Sequence, residues 1–447
     1  MTQRKLRINV NVQSSGAHPA SWRSPQGRPL ATVDIAHFQE VARIAERGKL
    51  DAVFLADALA IHPDPSTAPM WTIDPIVLTT AMALATENIG FIVSNSTTFS
   101  QPYNLARAFL SLDHISGGRV GWNIVTTYDE RAATNFGLAQ LPPHEERYAA
   151  AAEFVDLVLK LWDSWEADAL VADLASGVFA DHARIHKTGH VGKYAAATGP
   201  LQVPRSPQGR PLLVQAGSSP QGRDLAAQFA EGVFTIQQVL GEAQAYYADI
   251  KRRASAYGRD PATVAVLPGI SLVIGGTEAE ARARKRELDE IAGIDKQLPR
   301  YAARLGVAPS ELDLDKPVPT HLLERIRSAP GSRGWADANF ALASEGLTVR
   351  EIIAQGGGAH RLVVGSPEQI ADHIQSWFEA GAADGFNIMS DVYPDGLAAF
   401  SDHVVPVLQK RGLFRTEYEG RTLREHYGVP APENIHTARA RALRAAG

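Results

Sequence analysis

A chain of 447 residues is long enough for one large α/β barrel with insertions or for two to three smaller domains. Its 45% hydrophobic share supports a substantial core, while a formal net charge of −5 argues against nucleic acid or an anionic membrane as a general partner. The absence of cysteine excludes disulfides, thiolate catalysis and cysteine-based metal or iron–sulfur sites.

Met1–Val12 is polar and enters a strand almost at once, which reads as a cytoplasmic chain without a signal peptide. No apolar run reaches the ~20 residues of a membrane helix. Leu6–Val12 is that first strand, followed by the loop Gln13–Pro29 with His18, Trp22 and Arg23. Ile35–Arg47 sets Ile35, Phe38, Val41, Ala42 and Ala45 on one side of a helix that closes at Gly48. Ala52–Ala56 is the second strand and ends at Asp57, and a polar loop, His62–Trp71, leads to the helix Pro75–Ala85. Ile89–Val93 runs into Ser94–Phe99, and the helix Tyr103–Ile115 stops at Gly117-Gly118. A fourth strand, Arg119–Val125, delivers Thr126-Thr127-Tyr128. Pro143–Trp162 is a long helix that opens with His144-Glu145-Glu146-Arg147-Tyr148, and Ser164–Arg210 reads as an insertion.

The fifth strand, Leu212–Val214, breaks at Gly217 before a helical pattern resumes from Gly222. Gly232–Ile236, Val264–Ile274 and Phe386–Met389 complete the strands, with helices at Glu242–Tyr257, Thr277–Ile291, Pro367–Ala380 and Leu397–Gln409. Asp295–Glu345 is a second insertion, Gly356-Gly357-Gly358 a flexible turn, and Ala431–Gly447 a docking helix or a frayed tail. Ser-Pro-Gln-Gly-Arg recurs at Ser24, Ser206 and Ser219 as turn chemistry, not as an architectural repeat. Eight strands alternating with helices imply a single (β/α)8 TIM-type barrel over residues 1–447, with insertions near 58–74, 164–210 and 295–345. Two doubly wound domains are the alternative, weakened by the lack of a dinucleotide fingerprint.

In a barrel, chemistry sits where strands end. The polar deliveries there are His18, Asp57, Ser96–Thr98, Thr126–Tyr128 and Ser218–Ser219. In Gly217–Arg223, Ser218 or Ser219 suits an N-cap, Pro220 the first helical turn, and Arg223 lies within reach of the same end. Free N–H groups, two hydroxyls and a guanidinium make a phosphate-monoester site, although an ordinary capped turn reads the same way. His144 and Tyr148 share one helix face and could donate to a phosphate or a flavin edge. His182, His186 and His190 have a metal-like spacing, but interleaved Arg184 and Lys187 and the break at Gly189 favour a solvated face, and no metal is expected.

The most specific stretch is Ser116-Gly117-Gly118-Arg119-Val120-Gly121-Trp122-Asn123-Ile124-Val125-Thr126. Together with His18…Trp22-Arg23, Phe54–Asp57, Pro102–Arg107, His144–Tyr148, Gln215–Ser219, Asp384–Asn387 and Arg411–Arg415, it resembles the nitrilotriacetate and dibenzothiophene-sulfone monooxygenase branch of the bacterial-luciferase-like superfamily. The likeness runs from about Leu6 to Gly428. It implies an oxygenase component that uses reduced FMN and O2, through a flavin peroxide, on a small sulfur- or nitrogen-containing compound. It also implies a separate NAD(P)H-dependent flavin reductase and a homodimer or homotetramer. By motif, Asp57 and Thr98 line the isoalloxazine, and His144, Tyr148, Ser218 and Ser219 hold the phosphate; His18 is the proton-donor candidate because an imidazole's neutral-range pKa suits that task, with loop packing beside Trp22 as its other reading. The loops Gln13–Pro29 and Ala58–Trp71, with the insertions, would exclude water. A flavin- or deazaflavin-dependent hydride-transfer barrel and a non-enzymatic flavin-binding subunit are the rival readings.

Overall fold

The computed structural model describes residues 4–61, 65–66, 69, 73–328, 333–357 and 359–446. Its parallel strands are β1 (Arg7–Asn11), β2 (Ala52–Leu55), β3 (Gly90–Ser96), β4 (Val120–Val125), β5 (Leu212–Gln215), β6 (Gly232–Thr235), β7 (Ala265–Ile274), β8 (Arg361–Gly365) and β9 (Gly385–Ser390). All but β8 close a barrel in the order β1-β2-β3-β4-β5-β6-β7-β9, and β9 pairs back onto β1 from Arg7↔Gly385 to Val10↔Ile388. The pairings β6–β7 and β9–β1 rule out two separate open sheets.

Alternation along each strand sorts the side chains. Val53, Leu55, Phe91, Val93, Val120 and Trp122 face the surrounding helices, whereas Ala52, Phe54, Ile92, Leu212, Val214, Phe234 and Leu267 fill the barrel. Leu423, Tyr427 and Val429 enter that inner cluster from the strands' N-terminal end. Asn9 Nδ2 donates to Tyr427 Oη at 2.7 Å, tying this plug to β1. One mouth is thereby sealed, and chemistry is left to the other.

Helix boundaries follow the sequence reading closely, as at Ile35–Arg47 with Asp34 as N-cap and His144–Trp162 after Pro143. The last long helix departs from it. Leu397–Gln409 is interrupted by a π turn, Phe400–Val404, just before Pro406, whose missing N–H cannot continue the α-helical ladder. Strand β8 was not anticipated. It pairs only with the upper half of β7, from Ile270↔Arg361 to Ile274↔Gly365. The insertion after Trp162 forms two small hairpins, Leu170–Asp173 with Val178–Ala180 and His190–Val191 with Ala196–Ala197. The later insertion is helical: Ile294–Leu305, Thr320–Arg327 and Arg333–Ser344, with Val349–Ala354 beyond it, pack around Tyr301, Leu305, Leu322, Ile326 and Ile352. The C-terminal stretch is a helix, Ile435–Ala446, docked at its start by Asn434, whose Nδ2 donates to Asp163 O at 2.8 Å.

Candidate active site

The turn after β5 forms a cradle at a capped helix start. Ser219 is the N-cap of the helix Pro220–Phe229, and its Oγ accepts from Gly222 N at 3.1 Å. A methyl group at Gly222 would lie 3.1 Å from Tyr148 Oη and 3.2 Å from Ser219 Oγ, so the tyrosine from the helix His144–Trp162 reaches this helix end. His144 packs beside Tyr148 with ring centroids 4.7 Å apart, and burial and Arg147 lower its pKa, keeping it neutral near pH 7. Tyr246 Oη fastens the turn by donating to Gly217 O at 2.5 Å. Arg223 does not serve the cradle from the front as its position suggested. Its Nε braces Ser218 O at 3.0 Å and its Nη1 turns back to Asp249 at 3.2 Å.

Beside the cradle, the ends of β2 to β4 form a polar rim. Asp57 follows β2 half-buried, its Oδ1 accepting from Ala58 N at 2.9 Å. Burial, and secondarily the charge of Asp74, raise its pKa above the usual carboxylate range. Thr98 donates to Thr126 O at 3.2 Å, and Ser96 Oγ and Thr127 Oγ1 are 2.7 Å apart. Arg147 holds the same turn by donating to Thr126 O at 2.9 Å and to Thr127 O. Thr127 adopts φ +34°, a conformation that these bonds over-determine.

His18 lies elsewhere along the mouth. Its Nε2 is 3.2 Å from Asp289 Oδ1 on the helix Glu278–Ala292, and its Nδ1 accepts from Ala20 N at 3.1 Å. Part of the Ala58–Trp71 loop lies outside the described residues. The three spaced histidines diverge: His186 pairs with Glu166 at 2.8 Å and stacks on His436, while His190 lies against Glu153.

Several residues that sequence reasoning did not single out complete the mouth. His360 precedes β8, stacks on Phe234 with centroids 5.0 Å apart, and meets Trp335 edge-on at 6.4 Å. Gly269 faces the barrel interior, and a methyl group there would lie 2.1 Å from His360 Nδ1, so the imidazole occupies the inside of the barrel. Burial lowers its pKa to about 4, and Nδ1 has no hydrogen-bond partner among the described residues. Arg304 lies over the Trp335 ring at 4.7 Å. Next to Trp335, Gly334 abuts the cradle, where an added methyl would lie 2.7 Å from Ser218 Oγ. The helical insertion therefore packs against the turn at Ser218. The signals available were the Gly-rich turn before His360 and the aromatic and basic residues of the insertion, none of which has a diagnostic spacing.

The family profile described as luciferase-like monooxygenase matches residues 15–384. The chain is 43% identical over 441 residues to the N-acetyl-S-(2-succino)cysteine monooxygenase of Bacillus subtilis (strain 168), covering 97% of this chain and 99% of that protein. It is 41% identical over 447 residues to nitrilotriacetate monooxygenase component A of Aminobacter aminovorans, covering 96% and 98%. Among solved structures, a riboflavin lyase crystallised with modified FMN and riboflavin superposes with a TM-score of 0.84 at 32% identity, covering 96% of this chain and 97% of that one. The chain belongs to the luciferase-like monooxygenase family and is a flavin-dependent monooxygenase.

Proposed function

We propose that this enzyme is the oxygenase component of a two-component system, which takes reduced FMN from a separate NAD(P)H-dependent reductase and uses O2 to oxidise a small sulfur- or nitrogen-containing compound. The observation that carries the reading is the convergence of Tyr148 on the Ser219–Gly222 helix end beside the Asp57–Thr98 rim. A phosphate fits the cradle, which offers hydroxyls from Ser218, Ser219 and Tyr148, the His144 imidazole and the Gln221 N–H, since Pro220 has no N–H and Gly222 N is bonded to Ser219 Oγ. A flavin's polar edge fits the rim, where Asp57 has a raised pKa and Thr98 a hydroxyl. When bound, reduced FMN supplies the electrons that activate O2.

The chain's own residues do the rest. Ser218, Ser219, Tyr148 and His144 anchor the phosphate, and the Asp57 carboxyl and Thr98 orient the ring. The insertion, seated against Ser218 through Gly334, would exclude water, whose protons would otherwise release oxygen reduced by the flavin as free hydrogen peroxide. His18 remains the proposed proton donor, a role that requires its contact with Asp289 to open. The relatives' names support the substrate class, one naming a cysteine thioether and the other nitrilotriacetate, and the label component A supports a partner component. We further propose a cytoplasmic location, because NAD(P)H for the reductase is a cytoplasmic reductant, and a homodimer or homotetramer on the family resemblance alone.

The test is anaerobic titration with reduced and then oxidised FMN, followed by mixing the reduced complex with oxygenated buffer and a thioether or amine. Preference for reduced FMN, with an oxygenated product, is the expected result. Tight binding of oxidised flavin with no oxygen consumption would overturn it in favour of hydride transfer. For His18→Ala, a fall in product with a matching rise in free peroxide is expected, whereas unchanged product yield removes His18 from the chemistry.

A further inference from the structure

Two elements of the chain are ordered with little to pack on. Among the described residues the hairpin Leu170–Asp173 with Val178–Ala180 pairs with no other strand, and residues 170–179 are exposed throughout. It presents Leu170, Val171, Leu174, Val178 and Phe179 to solvent, with Leu174 at 99% and Phe179 at 72% exposure. The helix Ile435–Ala446 is held only near its start: none of residues 435–444 is buried, and Leu443 is 68% exposed. A lone two-stranded hairpin and a 12-residue helix are each marginal in water unless a face is covered. Five large apolar side chains on one hairpin form a patch, unlike singly scattered surface residues.

Both elements spring from one knot. Asn434 Nδ2 donates to Asp163 O at 2.8 Å and to Trp165 O at 2.9 Å, and Trp165 bridges to Ile185 at the foot of the hairpin. His186 stacks on His436 with ring centroids 3.8 Å apart, and Thr437 Oγ1 donates to Glu166 Oε2 at 2.8 Å. Beyond the knot the two arms carry opposite charge. Residues 168–181 include Asp168, Asp173 and Asp181 with no lysine or arginine, whereas residues 435–446 include Arg439, Arg441 and Arg444 with no aspartate or glutamate. Arg184 answers Asp168 and Asp181, and Glu433 answers Arg441 at 2.8 Å. Among the described residues no cation pairs with Asp173, and no carboxylate pairs with Arg439 or Arg444.

We propose that the two arms are a self-association surface: the hairpin of one copy docks on the C-terminal helix of a second copy, and the second copy's hairpin docks on the helix of the first. Leu174 and Phe179 supply apolar contact for Leu443 and the helix alanines, while aspartates and arginines meet at the rim. Hairpin on hairpin would oppose aspartate to aspartate, and helix on helix arginine to arginine, so charge selects the crossed arrangement. Two complementary arms on one base close under a two-fold axis, with each contact made twice. Residues 168–181 and 435–444 fall within the ~20–30 residues a side of a standard interface. A foreign partner would have to supply both complements, whereas a second copy carries them already. The inference gives a surface to the homo-oligomer reading above and is independent of the flavin chemistry.

The test is the solution mass of the full-length protein by sedimentation equilibrium, read for the wild type, for Leu174→Ser with Phe179→Ser, and for Arg439→Glu with Arg444→Glu. Each double variant should lose this contact, halving the mass or raising the dissociation constant by about tenfold or more. Mixing the two variants should restore association, because the mixed pair keeps one intact hairpin and one intact helix facing each other. The substituted positions are exposed and far from the core, so near-UV circular dichroism should match the wild type and separate lost assembly from lost folding. A monomeric wild type overturns this surface and the homo-oligomer reading together. A wild-type oligomer that either double variant leaves unchanged in mass and dissociation constant overturns the surface alone. Dissociation of both variants with no recovery on mixing overturns the pairing of hairpin with helix.

Discussion

At the scale of single residues, the proposed cradle draws on hydroxyls whose loss leaves the backbone in place. Tyr148→Phe should weaken reduced-FMN binding by about tenfold with little change in melting temperature, since it removes one donor from the proposed phosphate site. Ser219→Ala should weaken binding and also cost about 1 kcal/mol of stability, because the same oxygen caps the helix Pro220–Phe229. Anaerobic titration and thermal denaturation separate the two effects. His360 carries a pH signature. Its pKa falls from 6.5 in the unfolded chain to about 4 in the fold, so between those values the unfolded state binds the extra proton. Stability is therefore complete above pH 6.5 and is lost as pH falls toward 4, by roughly 3 kcal/mol when that drop is fully developed. Urea denaturation at pH 7 and pH 4.5 should show this loss reduced in His360→Leu.

At the scale of elements, the decisive contacts run between a helix end and a neighbour distant in sequence. Gly222 lets the helix His144–Trp162 approach the one that starts at Pro220, because a side chain there would crowd Tyr148 Oη and the Gly217 backbone, 2.9 Å away. Gly222→Ala should lower reduced-FMN affinity by about tenfold or more while leaving far-UV helicity unchanged, since alanine is the better helix former. Unchanged FMN affinity would show that the two helices do not meet at the phosphate. Strand β8 has a comparable role. It extends the pairing of β7 beyond the barrel proper, and its entry brings His360 over Phe234.

At the scale of the whole molecule, the barrel separates stability from chemistry along its axis. Leu423 and Tyr427 seal the end where strands begin, and the cradle, rim and insertion occupy the end where they finish. Leu423→Ala should cost about 2–5 kcal/mol of unfolding free energy by emptying a fully buried site. Reduced-FMN affinity should hold in the same variant at a temperature where it remains folded. A variant that loses flavin binding while still folded would show that the plug shapes the distant mouth.

Local sequence was enough for the alternation of strands and helices, the polar residues at strand ends and the capped turn at Ser219. Strand and helix periodicity, cap chemistry and glycine position are all encoded within about a dozen residues. The meeting of Tyr148 with Gly222 was only half legible, since each residue sits in a recognisable segment but their approach depends on neighbouring helices packed outside β4 and β5. Strand β8 was hidden because Arg361–Gly365 is short and pairs with only part of β7. Arg223 does reach the turn, at Ser218 O, but its pairing with Asp249 was not legible, because that carboxylate comes from the next helix. His360, Trp335 and Arg304 were beyond sequence reasoning: each is an ordinary residue in its own segment, and it becomes part of a site only when the insertion folds back over the mouth. The sequence by itself determined the barrel and the location of its working end, because both follow from local pattern. The partners of each polar side chain at the mouth emerged only from packing, because they come from elements distant in sequence, as Asp249 does for Arg223 and Phe234 for His360.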